Sequence, residues 1–133
     1  MYYFAYAANL NLKRMRECYP DSTPMFLATL PNYKLVFVGW SRQWRGGTAT
    51  IKLFKGEMIR GAIYKISERD LRRLDKHEGC PGNYDRLKVT VFDEDGSPME
   101  AETYTKSGKL EEAPHAKEYL AIIQQGYRDW RII

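Results

Sequence analysis

The carboxylate of Glu78 is the candidate centre of chemistry in this sequence. Leu74 and Glu78 follow Leu71 by three and seven residues, so on a helix the three side chains share one apolar face. A carboxylate on that face is partly desolvated, and at the C-terminal end of a helix it also meets the negative end of the helix dipole. Both effects raise its pKa toward the range of a general acid or base. The pattern therefore predicts an acid/base residue at Glu78.

The segment before Glu78 carries the signals of a helix that begins near Ser67. Ser67 can cap the first turn, and Ile66 and Leu71 have the spacing of a hydrophobic staple. Gly79 can adopt the left-handed conformation that ends a helix. Structural ion pairs also perturb carboxylates, so the alternative is that the last turn unwinds and the carboxylate reaches water or an arginine.

A second candidate is the loop Tyr6–Leu10, which follows an aromatic strand pattern over Tyr3–Tyr6. Ala7 and Ala8 are small, so a ligand can approach the backbone closely. The free N–H groups of a loop that leads into a helix favour a carboxylate or a developing oxyanion. The alternative is an ordinary strand-to-helix connection whose alanines only pack.

Two tyrosines could add hydroxyl groups to the same site. Tyr84 follows a segment that Pro81 and Gly82 bend, and its hydroxyl could donate to a substrate carbonyl. Tyr119 lies on the apolar stripe of a late helix, so its hydroxyl must find a partner, either a ligand or the backbone. For Tyr84 the alternative is a core tyrosine whose hydroxyl reaches the surface.

Aromatic residues alternate with arginines over residues 40–47, as they do on surfaces that bind single-stranded nucleic acid. The sequence has no wider basic stripe and no recognised RNA-binding motif. Nucleic acid is therefore the least favoured partner.

The histidines and cysteines give little support to a metal or thiol site. His77 and His115 are the only histidines, and His77 is predicted to point away from the apolar face, so both are assigned to the surface and no metal site is predicted. Cys80 lies beside a helix C-terminus, where the field raises a thiol pKa, and is assigned a structural role. Cys18 and Cys80 are far apart in the sequence and are expected to be reduced.

Length and composition are those of one domain over residues 1–133, with 44% apolar residues and a net charge of +4. The mild basic excess suits anionic small molecules without selecting among them. The longest strongly apolar stretch, Leu35–Val38, is too short to span a membrane. The start, Met1–Tyr6, lacks the basic region of a signal peptide, so we expect a cytoplasmic protein. No oligomeric state is predicted.

Two further helices must position these side chains. The first is short and can be capped by Asn11, with Leu12 and Met15 facing inward. The second is predicted from about His115 to Gln125, with an end at Gly126. Its inward stripe consists of Ala116, Tyr119, Leu120, Ile123 and Tyr127.

The remaining patterns are those of short strands. Asp93–Ser97 has the composition of a turn and joins the last two strands as a hairpin. The predicted strands are Tyr3–Tyr6, Met25–Leu30, Lys34–Val38, Thr48–Leu53, Ile59–Ile66, Leu87–Phe92 and Glu100–Thr105. Mostly short strands with two or three helices at their ends are typical of an α+β domain, here a small mixed or antiparallel β-barrel with flanking helices.

Two segments resemble motifs of a known family. Tyr3–Leu10 reads Tyr-Phe-Ala-Tyr-Ala-Ala-Asn-Leu, and Leu74–Gly79 reads Leu-Asp-Lys-His-Glu-Gly. The first is similar to the Tyr-Phe-Ala-Tyr-Gly-Ser-Asn-Leu opening of the γ-glutamylcyclotransferase-like family, and the second to its catalytic Leu-Asp-x-x-Glu-Gly segment. The likeness continues through Gly82–Tyr84, the hairpin and Pro114–Tyr119, so it covers essentially the whole chain.

The resemblance implies a small mixed β-barrel with flanking helices and an enzyme that needs no cofactor. It implies cyclisation of a γ-glutamyl amino acid or γ-glutamyl amine to 5-oxoproline with release of the free amine, the chemistry of a lyase or acyltransferase. Glu78 is then the acid/base residue, Tyr119 helps bind substrate, and Tyr84 helps shape the pocket. The segment that holds the γ-glutamyl group comprises Tyr3, Phe4, Ala5, Tyr6, Ala7, Ala8, Asn9 and Leu10.

The chain departs from the family motif at Ala7 and Ala8, which stand in place of Gly-Ser. The backbone N–H donors survive this change, but a hydroxyl and the positive-φ freedom of glycine are lost. The departure leaves a second function open, a non-catalytic small-ligand or protein-binding module with the same fold.

Overall fold

The described part of the chain is a strand barrel with helices at its sides. The computed structural model describes residues 1–41, 44–78, 84–106 and 111–132. A short 3-10 helix, Ala7–Leu10, follows the first strand. The strands are β1 (Tyr2–Ala5), β2 (Thr23–Ser41), β3 (Gly46–Lys65), β4 (Asp85–Asp93) and β5 (Pro98–Thr105), and the α-helices are α1 (Leu12–Cys18), α2 (Glu68–Glu78) and α3 (Lys117–Asp129).

The barrel is closed and mixed. Its strand order is β1-β3-β2-β4-β5, and most neighbours run antiparallel. Closure comes from a parallel pairing of β1 with β5, at Tyr3 and Glu102. These observations confirm the predicted α+β fold class, a small mixed barrel with flanking helices.

Two strands are longer than the sequence patterns predict. In β2 the predicted strands Met25–Leu30 and Lys34–Val38 are one continuous strand. In β3 the predicted strands Thr48–Leu53 and Ile59–Ile66 are likewise united. The prediction of four separate short strands in this region is therefore wrong.

The reason is an irregularity in the pairing of β2 with β3, which lies in the gaps between the predicted strands. The register of β2 against β3 shifts between Pro31 and Tyr33. Asn32 has a φ of 63°, and its Oδ1 accepts a hydrogen bond from the Gly56 N–H at 3.2 Å. These residues bend the strand pair without ending it.

Helices α1 and α2 begin where the capping signals predict. Asn11 Oδ1 accepts the Arg14 N–H at 3.0 Å, and Ser67 Oγ accepts the Asp70 N–H at 3.1 Å. Each side chain satisfies a donor that the first turn leaves free. The predicted helix stop at Gly79 lies outside the described residues.

Helix α3 begins at Lys117 and continues through Gly126 to Asp129, so the prediction of an end at Gly126 is wrong. A Cβ on Gly126 would lie 2.7 Å from the Asn11 nitrogen and 2.8 Å from the Leu10 carbonyl carbon. The glycine therefore serves a close approach between α3 and the backbone that leads into α1, and not a helix end.

Two apolar clusters make up the core. One packs strand residues such as Phe4, Ile63 and Val91 against Ile123 of α3. The other joins α1 and α2 to the outside of the barrel and includes Met15, Leu74, Tyr64, Ala5 and Leu10. None of the described helices has the length and apolar character needed to cross a membrane.

We expect Gly126→Ala to destabilise the protein by about 1–3 kcal/mol. In an exposed helix interior the same change stabilises by about 1 kcal/mol, but here the added methyl group meets the backbone of Leu10 and Asn11. Urea unfolding measures the difference. The control is Gln124→Ala on the exposed face of α3, which should alter stability by less than about 0.5 kcal/mol. Equal stability of G126A and the wild type would contradict the close approach.

Candidate active site

A cavity of about 350 Å³ lies between the 3-10 helix, the end of α2, β3 and α3. It brings together Glu78 and most of the residues predicted to bind substrate, namely Tyr3, Tyr6, Ala7, Ala8, Asn9, Tyr84 and Tyr119. It is also lined by residues that were not predicted to bind substrate, namely Arg14, Trp40, Ser41, Trp44, Thr48, Ala49, His77, Tyr104 and Lys106.

Glu78 enters this cavity from the last turn of α2. Leu71 and Leu74, on the same helix face, are buried, and Glu78 itself is half-buried. Burial raises the pKa of Glu78 from its ordinary value of 4.5 to about 7, while the nearby charges of Arg14 and Lys106 oppose that rise. A carboxyl group that titrates near neutral pH can both accept and return a proton.

A structural ion pair was the alternative explanation for this carboxylate. Among the residues that the structure describes, Glu78 forms no salt bridge within 4.0 Å. Arg14 and Lys106 therefore act on Glu78 through the field that they create in the cavity. The geometry favours a group whose charge is free to change.

The turn that carries Glu78 is tied to the barrel through Asp75. The Asp75 carboxylate accepts a hydrogen bond from the buried Tyr104 hydroxyl of β5 and lies 3.1 Å from Arg86 Nε of β4. Residues three apart on a helix lie on neighbouring parts of its surface. This anchor therefore limits rotation of the turn and keeps Glu78 directed at the cavity.

His77 is exposed, as predicted, but it also contacts the interior. Its Nδ1 lies 2.9 Å from the hydroxyl of Tyr19, a buried residue that follows α1. The two rings are tilted with their centroids 5.6 Å apart. His77 thus joins the end of α1 to the end of α2 beside the cavity.

The 3-10 helix forms part of the cavity wall. Its first turn leaves the N–H groups of Ala7 and Ala8 without acceptors inside the helix, and both residues line the cavity. Ala7 has a φ of 54°, in the left-handed region. Ala7 thus adopts the positive φ of a glycine without glycine's freedom, at a cost of about 1–2 kcal/mol for an L-residue.

Asn9 organises two other residues of the cavity. Its Nδ2 donates to the Tyr3 hydroxyl at 2.8 Å, and its Oδ1 accepts from Arg14 Nε at 3.1 Å. The Arg14 guanidinium also lies 5.7 Å above the Trp44 ring. Asn9 and Trp44 together fix an arginine beside the 3-10 helix.

Tyr84 and Tyr119 hold the same residue of β3, Ala49, through its two backbone polar groups. The Tyr84 hydroxyl donates to the Ala49 carbonyl at 2.7 Å, and the Tyr119 hydroxyl accepts the Ala49 N–H at 2.9 Å. Tyr84 has therefore used its hydrogen on the backbone. Tyr119 retains a hydrogen that it can donate to a ligand.

The cavity tyrosines are neutral at physiological pH. Burial raises the pKa of Tyr3, Tyr6, Tyr84 and Tyr119 above the usual phenol value. The Tyr6 hydroxyl donates to the Tyr104 carbonyl at 2.6 Å. These groups therefore serve as hydrogen-bonding walls and do not act as bases.

Three residues of the first motif lie away from the cavity. Phe4, Ala5 and Leu10 have no exposed surface and do not line it. Phe4 packs among the strands, whereas Ala5 and Leu10 pack under the helices. These three residues pack beneath the motif, and the residues of the motif that line the cavity are Tyr3 and residues 6–9.

Arg14 and Lys106 are the main residues that the sequence patterns missed. Arg14 follows the predicted cap of α1, and Lys106 directly follows the last predicted strand. Nothing in either position separates it from an ordinary surface cation. The Lys106 Nζ lies 5.2 Å from the centre of the Tyr84 ring.

The aromatic segment over residues 40–47 contributes Trp40 and Trp44 to the cavity wall. The Trp44 and Tyr119 rings are tilted by 37° with their centroids 4.8 Å apart, while Trp40 is 71% exposed. The structure thus places these aromatic rings beside Glu78 in the wall of one cavity. Arg42, which belonged to the pattern, lies outside the described residues.

No group of three or more histidine, cysteine, aspartate or glutamate side chains suited to a metal ion occurs within the described ranges. Cys18 is half-buried and free. Cys80 lies outside the described residues, as do the bend residues Pro81 and Gly82.

The chain is similar in sequence and in fold to the proteins of one family. Residues 3–131 match the family described as gamma-glutamyl cyclotransferase, AIG2-like. The gamma-glutamylcyclotransferases of Bos taurus and Homo sapiens are 31% identical over 132 residues, which cover 96% of this chain and 70% of each relative. The gamma-glutamylaminecyclotransferase of Rattus norvegicus is 34% identical over 86 residues, or 63% of this chain and 49% of that protein. A solved gamma-glutamyl cyclotransferase structure superposes with a TM-score of 0.94 at 29% identity and covers 99% of this chain and 80% of that one.

The raised pKa of Glu78 makes stability depend on pH in a defined window. The carboxyl titrates near 4.5 when unfolded and near 7 when folded, so the folded state binds more protons between these values and loses stability as the pH rises through them. Glu78→Gln should remove that loss. The variant should match the wild type near pH 4 and exceed it near pH 8 by on the order of 2–3 kcal/mol.

Urea unfolding at the two pH values measures this difference, and the other titrating groups cancel in the comparison. Glu68→Gln, on the exposed part of α2, is the matched control and should behave like the wild type at both. A stability difference between E78Q and the wild type that does not change with pH would contradict the raised pKa.

We expect Ala7→Gly to stabilise the protein by about 0.5–1 kcal/mol, because glycine adopts a positive φ without the penalty that alanine carries. Ala8→Gly is the control, since Ala8 is the next residue of the 3-10 helix and is not among the residues with positive φ. It should destabilise by about 0.5–1 kcal/mol. Thermal unfolding of both variants measures the two effects, and loss of stability in both would show that φ at Ala7 carries no strain.

Proposed function

Because the chain belongs to the gamma-glutamyl cyclotransferase, AIG2-like family, we propose that it is a cyclotransferase for γ-glutamyl compounds. Its cavity binds a γ-glutamyl amino acid or γ-glutamyl amine, closes the γ-glutamyl group into 5-oxoproline and releases the γ-linked amine. The chemistry is an intramolecular acyl transfer, of the lyase or acyltransferase class, and needs no cofactor. A cytoplasmic location stays a prediction of the sequence.

The placement of Glu78 is the observation that carries this proposal. Its carboxyl faces a cavity of about 350 Å³, and burial raises its pKa to about 7. Both protonation states are then populated near neutral pH, as a group that takes and returns a proton requires. The volume is at the lower end of the range for small-molecule sites and suits a ligand of dipeptide size.

Two protons must move from the α-nitrogen of the substrate to the leaving nitrogen. Glu78 accepts one proton from the α-ammonium, and the resulting amine attacks the γ-carbonyl carbon to form the ring C–N bond. Glu78 then gives a proton to the leaving nitrogen as the original γ C–N bond breaks. It next carries the second proton from the ring nitrogen to the released amine. No electron acceptor and no water enter the balance.

The nucleophile is tethered to its target, so binding geometry supplies much of the rate. The N–H groups of Ala7 and Ala8 and the guanidinium of Arg14 can hold the α-carboxylate of the glutamyl group. The Tyr119 hydroxyl, which accepts the Ala49 N–H, has a hydrogen to donate to the developing oxyanion. Tyr84 contributes by holding Ala49 from the carbonyl side.

Glu78→Gln should lower kcat by about 10²- to 10⁴-fold, since glutamine has the shape of glutamate but cannot carry a proton. The assay incubates the protein with a panel of γ-glutamyl amino acids and γ-glutamyl amines and detects 5-oxoproline by mass spectrometry. Glu68→Gln, the exposed carboxylate of the same helix, is the control and should keep wild-type turnover. The kcat/KM of the wild type should rise with pH through about 7, because only the ionised Glu78 accepts a proton.

The panel also tests the second function that Ala7 and Ala8 leave open. Binding of a γ-glutamyl compound without any 5-oxoproline across the panel would identify a non-catalytic module. Salt-sensitive binding of oligonucleotides with no affinity for γ-glutamyl compounds would overturn both readings.

A further inference from the structure

We propose that Lys106 binds a carboxylate on the leaving group, so that this chain acts on γ-glutamyl α-amino acids in preference to γ-glutamyl amines. This inference rests on the proposed function and names the substrate class of the same cavity. It follows from the charges that line the cavity, from the place of each cation, and from what surrounds Lys106.

The first step is a balance of charge. Among the described residues that line the cavity, the formally charged side chains are Arg14, Lys106 and Glu78. The glutamyl end of a substrate carries one carboxylate and one ammonium, which pair with one cation and with Glu78. The other cation then lacks a counter-ion unless the leaving group brings a second carboxylate. A γ-glutamyl α-amino acid supplies that carboxylate, whereas a simple amine does not.

The second step assigns the two cations. Arg14 is held at 3.1 Å by Asn9, a residue of the same 3-10 helix whose first turn leaves the N–H groups of Ala7 and Ala8 without acceptors inside the helix. Those donors form one anion-binding wall, which suits the α-carboxylate common to every γ-glutamyl compound. Lys106 belongs to a different wall, at the end of β5, and its Nζ lies 5.2 Å from the Tyr84 ring centre.

The third step concerns the mouth of the cavity. The Lys106 Nζ would lie 3.6 Å from a Cβ placed on Gly39, so the ammonium sits beside β2 at that residue. The next residue, Trp40, lines the cavity and is 71% exposed. The leaving group must reach solvent after the reaction, so the mouth is where its carboxylate and side chain are expected.

Lys106 also has no carboxylate of the protein paired with its charge among the described residues. Within the described ranges it forms no salt bridge, and the residue is half-buried. Burial lowers the pKa of Lys106, and the field of Glu78 only partly offsets this. A ligand carboxylate beside the ammonium reverses the effect of burial, because it stabilises the charged form.

The test compares two substrates of the same shape, γ-glutamylalanine and γ-glutamylalaninamide, which differ only in the charge of the leaving group. The kcat/KM for each is measured near pH 8.5, above the pKa of Glu78 in the wild type, and a change in that pKa in a variant affects both substrates alike and cancels in their ratio. The quantity of interest is the ratio of the two kcat/KM values. This ratio is compared between each variant and the wild type, so that the intrinsic difference between the two leaving amines cancels.

The ratio of acid to amide should fall by about 10- to 100-fold in Lys106→Met, as expected for loss of a charge-assisted hydrogen bond. Lys106→Arg should retain most of the ratio, since it keeps the charge. Arg14→Met should lower kcat/KM for both substrates alike. Lys88→Met, at an exposed lysine of β4 that does not line the cavity, should leave the ratio unchanged.

An unchanged ratio in K106M would overturn the inference while leaving the proposed function intact. Calorimetric binding of the same two compounds to Glu78→Gln separates the inference from the proposed reaction, because that variant does not need to turn over. If E78Q binds the acid more tightly than the amide and K106M/E78Q does not, the Lys106 site is supported even where no 5-oxoproline forms. The lack of 5-oxoproline would then count against the cyclotransferase reaction alone. Equal binding of acid and amide by E78Q would overturn the Lys106 site.

Discussion

The cost of ionising a half-buried carboxyl group governs this site. The apolar face of α2 draws the helix onto the barrel, and Glu78 is carried inward with Leu71 and Leu74. Burial alone would keep the carboxyl neutral, but Arg14 and Lys106 oppose it, and the pKa lies at about 7. A direct salt bridge would instead hold the charge and remove the basicity. Two cations that share the cavity without pairing to Glu78 therefore leave a group that can change charge at neutral pH.

The site depends equally on contacts between the two ends of the chain. Near the C-terminus, Asp129 Oδ2 accepts the Leu12 N–H at 3.0 Å and Trp130 Nε1 donates to the Leu10 carbonyl at 2.9 Å. The same region presents Gly126 to the backbone at Leu10. These contacts place the 3-10 helix against α3, and α3 carries Tyr119 into the cavity. The N-terminal motif and the late helix therefore depend on each other for their positions at the cavity.

Much of this arrangement is predictable because it rests on local signals. Asn11 and Ser67 cap their helices through short-range hydrogen bonds, and the apolar spacing before Glu78 places the carboxyl inward. Gly126 shows where such signals fail. A glycine near the end of a helical pattern reads as a stop, but its purpose here is contact with residues more than one hundred positions away. Local signals fail at Asn32 for the same reason, because only the pairing of β2 with β3 keeps the strands continuous through this position.

The sequence patterns missed the two cations of the cavity, Arg14 and Lys106, and the reason is a different one. Arg14 and Lys106 are amphipathic side chains whose function depends on where the charged tip reaches, and a pattern of residue types does not encode that reach. Trp44 helps Asn9 to direct Arg14, and the Tyr84 ring lies against Lys106; both rings come from other strands or loops of the chain.

In the proposed complex these charges also explain why the base stays matched to its task. Carboxylates of the substrate neutralise the two cations, which raises the pKa of Glu78, while the substrate ammonium beside it lowers that pKa. The opposing effects come from the same ligand and scale together with its occupancy. With a γ-glutamyl amino acid bound, the two effects therefore oppose each other at Glu78 before the first proton moves, whereas a ligand with one carboxylate would leave the Lys106 charge to favour the ionised form of Glu78 and weaken the base.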